Sequence, residues 1–326
     1  MNNKILVTGG SGLLGNELIH QLLNKGNSVK AIVHKTPILI KHRHLEVVVC
    51  DLLDVVTLEE IMQDVTHVYH CAGLVSFTKG NKNLLFKTNR DTTVNIVNAS
   101  LHAKIKKFVH VSSIASLGRD NQFDLINENL QWNAENNFST YGYTKYLGEL
   151  EVWRGIAEGL NAVIVNPSII LGPGNWDEGS TAIFKKVHDH LKWYSEGVNG
   201  FVDVRDVCRA MVLLMEAEIS AERFIVSAYN LSYKDLIFQI ADSFKKPRPS
   251  QKINPFLAEI VWRMDWLRSL ITGKEPLITK ETVKTAQSIS HYDNSKLKKT
   301  LLNFEYRSLT DTIDHTCITL QQMFNK

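Results

Sequence analysis

The chain has 326 residues, of which 44% are hydrophobic and 22% are charged, and its formal net charge is +3. This length fits one large α/β domain, or a nucleotide-binding domain that carries a smaller lobe. The basic residues are scattered along the chain, so the charge does not indicate a nucleic-acid partner.

The cysteines and the apolar runs help to predict the cellular compartment of the protein. Cys50, Cys71, Cys208 and Cys317 lie far apart, without the spacing of a zinc site, which predicts reduced thiols and no metal. No apolar run approaches the roughly 20 residues of a membrane span. The first strand is predicted to begin near Lys4, which leaves no room for a signal peptide. We therefore expect a cytoplasmic protein without a membrane span.

Apolar runs alternate with amphipathic segments up to about residue 225. The runs predict strands at Lys4–Thr8, Ser28–Val33, Leu45–Val49, Thr66–His70, Lys107–Ser112 and Ala162–Asn166. The segments between them predict helices over Gly12–Lys25, Leu84–Ala103 and Tyr141–Glu158, and a short helix that a capping box of Thr57 and Glu60 would open. This alternation is typical of an α/β fold with a Rossmann-type, doubly wound parallel sheet.

Beyond about Glu222 the pattern becomes mostly helical. Ser232 with Asp235, and Ser308 with Asp311, predict the starts of two helices. We expect an NAD(P)-binding domain over 1–225, with a substrate loop at about 172–200, and a smaller, mostly helical substrate lobe over 226–326. An apolar stripe over 256–271 predicts a helix that packs on the nucleotide domain; a lid and an interfacial membrane helix are the alternatives.

A glycine-rich segment separates the first predicted strand from the first predicted helix. Its sequence is Thr8-Gly9-Gly10-Ser11-Gly12-Leu13-Leu14-Gly15. Glycines permit a tight turn and let the backbone approach a pyrophosphate at the helix N-terminus. A glycine-rich turn without a ligand is the alternative, but the position between a strand and a helix is the context that such binding requires. Residues 9–15 therefore predict a nicotinamide dinucleotide site.

The residues after the second strand bear on the choice between NAD and NADP. Sheets that bind NAD commonly carry an acidic residue there for the ribose 2′-hydroxyl, whereas this chain has His34, Lys35 and Thr36. Because His34 and Lys35 suit a 2′-phosphate, we expect NADP in preference to NAD; a solvated Lys35 is the alternative. Asp51, after the third strand, is placed to accept from the adenine amino group, or else to serve as a carboxylate at a helix N-terminus.

A tyrosine and a lysine lie four positions apart in a predicted helix, at Tyr141 and Lys145. Residues at this spacing share a helix face, and an ammonium lowers the pKa of a phenol from its usual value of about 10. Such a pair can exchange a proton with a substrate oxygen. Ser112 and Ser113 follow the fifth strand, at the edge where ligands bind, and can hydrogen-bond to the same oxygen. The alternative is an exposed tyrosine and lysine, with serines that only cap a strand.

Taken together, these features resemble the extended branch of the short-chain dehydrogenase/reductase superfamily over Met1 to about Glu216. The motifs that carry the resemblance are Thr8-Gly9-x-x-Gly12-x-x-Gly15, Asp51-Leu52, His70-Cys71-Ala72-Gly73, Thr88-Asn89-Arg90-Asp91-Thr92, Ser112-Ser113, Tyr141-x-x-x-Lys145, Asn166-Pro167-Ser168 and Phe201-Val202-Asp203. Within the branch, the chain is most similar to dihydroflavonol-4-reductase-like and 3β-hydroxysteroid-dehydrogenase-like proteins. Nucleotide-sugar enzymes of the branch usually carry arginines near the positions of Asn166 and Asn199.

The resemblance implies roles for individual residues. Tyr141 would be the acid–base residue, Lys145 would lower its pKa and hold the nicotinamide ribose, and Ser113, in preference to Ser112, would orient the carbonyl. Asn89 would complete the catalytic set along the cofactor cleft. Further cofactor contacts would come from Asp51 with Leu52, from Ala72 and Gly73 near the adenine ribose, and from Pro167 and Ser168 at the nicotinamide carboxamide.

The implied function is an NAD(P)(H)-dependent oxidoreductase that interconverts a ketone and a secondary alcohol on a small, fairly apolar molecule, with a homodimer as the expected assembly. One alternative is a nucleotide-sugar epimerase or dehydratase with tightly bound NAD. Another is an NADP-sensing protein without chemistry, against which the intact pair of Tyr141 and Lys145 argues.

Overall fold

The computed structural model describes residues 4–118, 125–133, 139–254, 259, 262–265, 267–269 and 279–324. Its strands are β1 (Lys4–Thr8), β2 (Ser28–Val33), β3 (Leu45–Val49), β4 (His67–His70), β5 (Lys107–Val111), β6 (Leu125–Ile126), β7 (Ala162–Pro167), β8 (Ile169–Leu171), β9 (Trp193–Tyr194), β10 (Val198–Asp203), β11 (Glu222–Val226), β12 (Tyr229–Ser232), β13 (Gln251–Lys252) and β14 (His291–Tyr292). Its helices are α1 (Leu13–Asn24), α2 (Val55–Met62), α3 (Lys82–Phe86), α4 (Thr92–His102), α5 (Thr140–Ala157), α6 (Thr181–His188), α7 (Val204–Glu216), α8 (Tyr233–Ser243), α9 (Lys280–Gln287), α10 (Ser295–Thr300) and α11 (Leu309–Phe324).

Seven strands form one parallel sheet, in the order β11–β7–β5–β4–β1–β2–β3. The predicted doubly wound α/β fold is therefore confirmed. The order reverses between β1 and β4, and ligands of such sheets bind outside the carboxyl ends of the strands at this switch point. The structure thus locates the cleft that the glycine-rich segment should border.

Helices cover both faces of the sheet because successive strand residues point to opposite sides. Ile5 and Val7 of β1 join one core cluster, with α1 and α7, and Leu6 joins the other, with α2, α4 and α5. A third cluster holds α6, α8 and α11 together around Phe184 and Leu236. None of the helices within the described ranges is long and apolar enough to cross a membrane.

The predicted strands agree with the structure to within a residue, but the sheet has a seventh strand that the sequence pattern did not indicate. This strand is β11, and it lies at about Glu222, where the helical pattern was expected to begin. Residues 226–324 contain α8–α11 and three short strands within the described part. The division into a nucleotide domain and a substrate lobe stays a prediction, as does the substrate role of 172–200. The apolar stripe at 256–271 lies largely outside the described residues.

The helical stretch expected over Leu84–Ala103 is confirmed, as α3, a π-helical turn at Lys87–Asp91 and α4 in succession. Helix α5 packs closely against the π-helical turn, since a Cβ on Gly148 would lie 2.5 Å from the Asn89 carbonyl oxygen. One local prediction is wrong: the capping box of Thr57 and Glu60 is not found. Asp54 caps α2 instead, since its carboxylate accepts from the Thr57 backbone N at 3.2 Å and from the Thr57 hydroxyl at 2.7 Å. The two helix starts at Ser232 and Ser308 are confirmed.

A buried carboxylate on α7 holds the segment that leads into α11. Asp206 is fully buried. It accepts from the backbone N of Arg307 at 2.8 Å and forms ion pairs with the guanidinium groups of Arg307 and Arg209. Because Arg307 lies two residues before α11, this contact fixes the start of the last helix.

We expect Asp206→Ala to lower the free energy of unfolding by about 2–3 kcal/mol, because the change leaves two cations and a backbone N–H without their acceptor. Asp311→Ala is the control, since that carboxylate is half exposed and should contribute less than about 1 kcal/mol. Urea denaturation measures both values. Equal losses in the two variants would contradict the account.

Candidate active site

The glycine-rich loop lies at the switch point and is closed by backbone contacts. Gly9 has a φ angle of +68°, and a Cβ on it would lie 2.7 Å from the backbone N of Ala72, just after β4. A Cβ on Gly15 would lie 2.2 Å from the Gly9 carbonyl oxygen. Glycine at both positions therefore lets the loop, the start of α1 and the turn after β4 pack together. The structure thus unites the predicted cofactor segments 9–15 and 72–73.

The N-terminus of α1 suits an anion. Its N-cap is Gly12, which has no side chain to cap the helix, and the first turn contains no acidic residue. The first N–H groups of a helix lack partners within the helix and, with the helix dipole, attract negative charge. Gly10, Ser11, Leu13 and Leu14 lie in or beside this turn. The loop therefore fits a dinucleotide pyrophosphate.

The residues predicted to hold the adenosine end lie on two neighbouring strand ends. His34 and Lys35 follow β2 and are exposed, and His34 Nε2 lies 3.8 Å from Asp51 Oδ2. Asp51 Oδ1 accepts from the Leu53 backbone N at 3.0 Å. Leu52 is buried and packs into the core, so only its backbone can face a cofactor. The carboxylate and the two basic residues thus share one edge of the cleft.

Tyr141, Ser113 and Lys145 come together at the carboxyl ends of β4 and β5. The Tyr141 hydroxyl lies close to the Ser113 side chain, which acts to lower the pKa of the phenol. Lys145 is buried, and its Nζ donates to the Val111 carbonyl at 2.6 Å. A Cβ on Gly73 would lie 3.5 Å from Lys145 Nζ, so the backbone of the predicted cofactor segment passes beside the ammonium.

The structure distinguishes the two serines. The Ser113 hydroxyl accepts from the Ala115 backbone N at 3.1 Å, at the start of a single 3₁₀ turn, and meets Tyr141. The Ser112 hydroxyl instead contacts Ser116 Oγ at 2.9 Å, within a buried cluster. Ser113 is therefore the serine beside the tyrosine, as the resemblance implied.

The pKa values of the pair differ from the expectation. Burial raises the pKa of Tyr141, and the neighbouring Ser113 side chain offsets only part of this rise. Burial lowers the pKa of Lys145 to about 8, although Glu149 opposes the change. The expected lowering of the tyrosine pKa by Lys145 is not found, because the ammonium is directed at the Val111 carbonyl. In this state Tyr141 is a neutral phenol, which can donate a proton.

The Asn89 side chain forms hydrogen bonds to other groups of the protein. Its Oδ1 accepts from the Leu74 backbone N at 2.8 Å, and its Nδ2 donates to the Leu74 carbonyl and the Thr144 hydroxyl, both at 3.0 Å. These bonds join the turn after β4 to the helix that carries Tyr141. Asn89 thus connects two parts of the site, and the catalytic role that the resemblance implied for it stays a prediction.

Pro167 and Ser168 lie at the same edge of the sheet, but further from the turn after β4. They lie at the end of β7, two strands from β4. Ser168 is buried, and its backbone N donates to the Val226 carbonyl at 3.0 Å. Their contact with a nicotinamide stays a prediction.

One buried cluster beneath the site was not predicted. Glu149 is almost fully buried and pairs with Arg223 Nη1 at 2.9 Å. It also accepts from Ser116 Oγ and Asn166 Nδ2, both at 2.9 Å, while Asn166 Nδ2 lies 3.1 Å from the Ser113 carbonyl. The cluster therefore supports the turn that carries Ser113. The available signal was the spacing, because Glu149 follows Lys145 by four residues on the same helix face.

Comparisons with known proteins bear on the family and on the fold. Residues 5–230 match the model of the NAD dependent epimerase/dehydratase family. The sterol demethylase protein B of Methylococcus capsulatus is 27% identical over 304 residues, which cover 91% of this chain and 92% of that protein. A putative dihydroflavonol 4-reductase of Synechocystis is 27% identical over 308 residues, covering 91% and 88%. A UDP-glucose 4-epimerase of Thermotoga maritima has a similar structure, with a TM-score of 0.81 and 20% identity over 98% of this chain and 99% of that one. At that identity the last likeness shows the fold alone.

We expect Gly9→Ala to abolish measurable binding of NADPH and NADH, because the new Cβ would press against the Ala72 backbone. Gly26→Ala is a matched control: its φ angle is +80°, but nothing lies within 4 Å of a Cβ there. That variant should lose about 1 kcal/mol of stability and keep its affinity. Fluorescence titration with each cofactor measures the effect, and tight binding by Gly9→Ala would refute the assignment of the loop.

Proposed function

The chain belongs to the NAD dependent epimerase/dehydratase family, as an NAD(P)-dependent enzyme of the extended short-chain dehydrogenase/reductase type, and we propose that it interconverts a ketone and a secondary alcohol on a small, fairly apolar molecule. One observation carries the proposal. Tyr141, whose hydroxyl lies close to the Ser113 side chain, shares helix α5 with Lys145, and the buried Lys145 ammonium donates to the Val111 carbonyl at the ligand-binding edge of the sheet.

The two hydroxyls can bind one carbonyl oxygen. An oxygen that enters between Tyr141 and Ser113 accepts a hydrogen bond from each, which polarises the carbonyl and orients it. Tyr141 then transfers its proton to the oxygen as the carbinol forms. When bound, the nicotinamide supplies the hydride for reduction or accepts it in oxidation. The raised pKa of Tyr141 keeps the phenol protonated before the reaction, so that a proton is present for transfer to the substrate oxygen.

Lys145 stabilises the charge that this proton transfer leaves behind. With a pKa of about 8, its side chain is mostly an ammonium at neutral pH. An ammonium on the same helix face favours the phenolate form of Tyr141 after the proton has left. The Val111 carbonyl holds the ammonium beside Gly73, where the resemblance implies that it also meets a cofactor ribose.

Two observations support an apolar substrate. Phe77 meets the Tyr141 ring edge-on, with the centroids 5.8 Å apart, and Val75 in the same segment is 57% exposed. Nucleotide-sugar enzymes usually carry arginines near the positions of Asn166 and Asn199. Both of these side chains are uncharged, and both are buried, so neither position offers a fixed cation to a sugar diphosphate. The names of the two relatives, a sterol demethylase protein and a dihydroflavonol reductase, are consistent with this substrate class.

We propose NADP in preference to NAD as the cofactor. His34 and Lys35 are the exposed residues after β2, where an enzyme selective for NAD commonly carries a carboxylate. His34 Nε2 lies 3.8 Å from Asp51 Oδ2 at the same edge of the cleft. A 2′-phosphate would then meet an imidazole and an ammonium together.

We expect Tyr141→Phe to bind NADPH as the wild type does and to lose at least about 100-fold in kcat, because the proton donor is gone. Tyr143→Phe is the control, since Tyr143 is exposed two residues further along the same helix. NADPH oxidation is followed with a panel of aromatic and alicyclic ketones. Undiminished turnover in Tyr141→Phe would refute the mechanism, and wild-type protein that is purified with bound NAD and needs no added cofactor would favour an epimerase.

We expect Lys35→Ala to weaken NADPH binding about five- to tenfold and to change NADH binding less than twofold, because only NADPH carries the 2′-phosphate. Lys41→Ala removes another exposed lysine from the same loop and should change neither value. Titrations at two salt concentrations measure the affinities. A similar loss for both cofactors would contradict the proposed contact.

A further inference from the structure

A buried histidine links the cofactor loop to the π-helical turn. His70 ends β4 and is fully buried. Its Nδ1 lies 2.8 Å from Thr8 Oγ1, and its Nε2 lies 3.0 Å from Thr93 Oγ1. Thr8 directly precedes Gly9 of the loop, and Thr93 lies in the first turn of α4, after the π-helical turn. The His70 side chain therefore connects the end of β1, next to the glycine-rich loop, to the first turn of α4.

Backbone groups fix the direction of each bond in this chain. The Ala72 backbone N can only donate, and it does so to Thr8 Oγ1 at 3.1 Å. The Asn89 carbonyl can only accept, and it does so from Thr93 Oγ1 at 2.8 Å. Because the Thr93 hydroxyl proton is used there, Thr93 Oγ1 accepts from His70, whose Nε2 must carry a proton.

The charge of the His70 ring decides whether its second nitrogen, Nδ1, donates or accepts a hydrogen bond. Burial and, to a smaller extent, the Lys145 ammonium lower the pKa of His70 to about 3, so the ring is neutral. A neutral imidazole carries a single N–H, which leaves Nδ1 as an acceptor for the Thr8 hydroxyl. Every donor and acceptor in the path from Ala72 to Asn89 is thus matched in only one tautomer.

Both ends of this path act on the candidate site. At one end, Ala72 forms the turn against which Gly9 closes. At the other end, the Asn89 side chain holds Leu74 and Thr144, and Thr144 lies beside Lys145 on α5. We propose that His70, as its Nε2-protonated tautomer, is a positioning residue that sets the spacing between the dinucleotide loop and the catalytic helix. The proposal rests on the proposed function, in that the loop binds a nicotinamide dinucleotide.

The neighbouring strand provides a matched control. The His110 ring stacks on the His70 ring, with the centroids 5.3 Å apart, and is equally buried. Within the described part of the chain, neither ring nitrogen of His110 has a hydrogen-bond partner. His110→Leu therefore removes an imidazole from the same layer without breaking a hydrogen bond, whereas His70→Leu breaks two.

Two conservative variants separate the halves of the path. Asparagine places its amide near the Nδ1 position of histidine, so His70→Asn keeps an acceptor for Thr8 and loses the donor to Thr93. Glutamine reaches the Nε2 position, so His70→Gln keeps the donor to Thr93 and loses the acceptor for Thr8. A residue that serves only to fill space would give the same result in both variants.

The experiment measures the Kd of NADPH by fluorescence titration and, on the protein without cofactor, the amide hydrogen exchange of peptides over residues 85–95. For His70→Gln we expect a Kd that is about five- to tenfold higher and unchanged exchange, because one hydrogen bond at the loop is lost. For His70→Asn we expect a Kd within twofold of wild type and about tenfold faster exchange in 85–95. His70→Leu should show both effects, and His110→Leu should show neither.

Equal behaviour of His70→Leu and His110→Leu would overturn the proposal, as would equal losses in the Asn and Gln variants. If His70→Leu does not fold, Thr8→Val and Thr93→Val replace it, and the first should change only the Kd and the second mainly the exchange. Wild-type protein that binds neither NADPH nor NADH would refute the proposed function. The exchange of His70→Asn against His70→Gln would still decide whether His70 supports the π-helical turn.

Discussion

The site depends on backbone segments that approach one another more closely than side chains would allow. Gly9 lies against Ala72, Gly15 against Gly9, and Gly148 of the catalytic helix against the Asn89 carbonyl. At each of these positions a Cβ would overlap backbone atoms, so only glycine leaves the room. The close approach brings the loop, the turn after β4 and α5 within reach of one another. The polar side chains of the site then need to span only short distances.

Such close packing has an energetic consequence, because it removes water from polar groups that must then find partners in the protein. Lys145 finds the Val111 carbonyl, and Glu149 finds Arg223. The Tyr141 hydroxyl lies close to the Ser113 side chain, whose oxygen also accepts from the Ala115 backbone N, and in the proposed reaction a substrate oxygen enters between the two hydroxyls. The charged groups of the site are therefore bonded within the protein, whereas the two hydroxyls can bond to a substrate oxygen.

The sequence predicted the elements whose signal is local. β1, β2 and β3 follow from apolar runs, and the loop follows from glycine spacing between a strand and a helix. What depends on distant contacts was not predictable. The π-helical turn arises where α5 meets Asn89, and the pair of Glu149 and Arg223 joins residues 74 positions apart. The sign of the pKa shift at Tyr141 also escaped prediction, because neither its burial nor the direction of the Lys145 side chain is encoded in the four-residue spacing.

The buried carboxylate on α7 has a consequence for how the chain folds during synthesis. Asp206 belongs to the nucleotide-binding core, yet its partner Arg307 is made about a hundred residues later, near the end of the chain. Until Arg307 emerges, one face of α7 holds a carboxylate that lacks its main partner. Contacts of such long range slow folding, and they couple the segment before α11 to the helix α7 that is made much earlier. A ribosome-bound chain that already contains the whole parallel sheet would therefore gain the stability of this contact only after Arg307 has emerged.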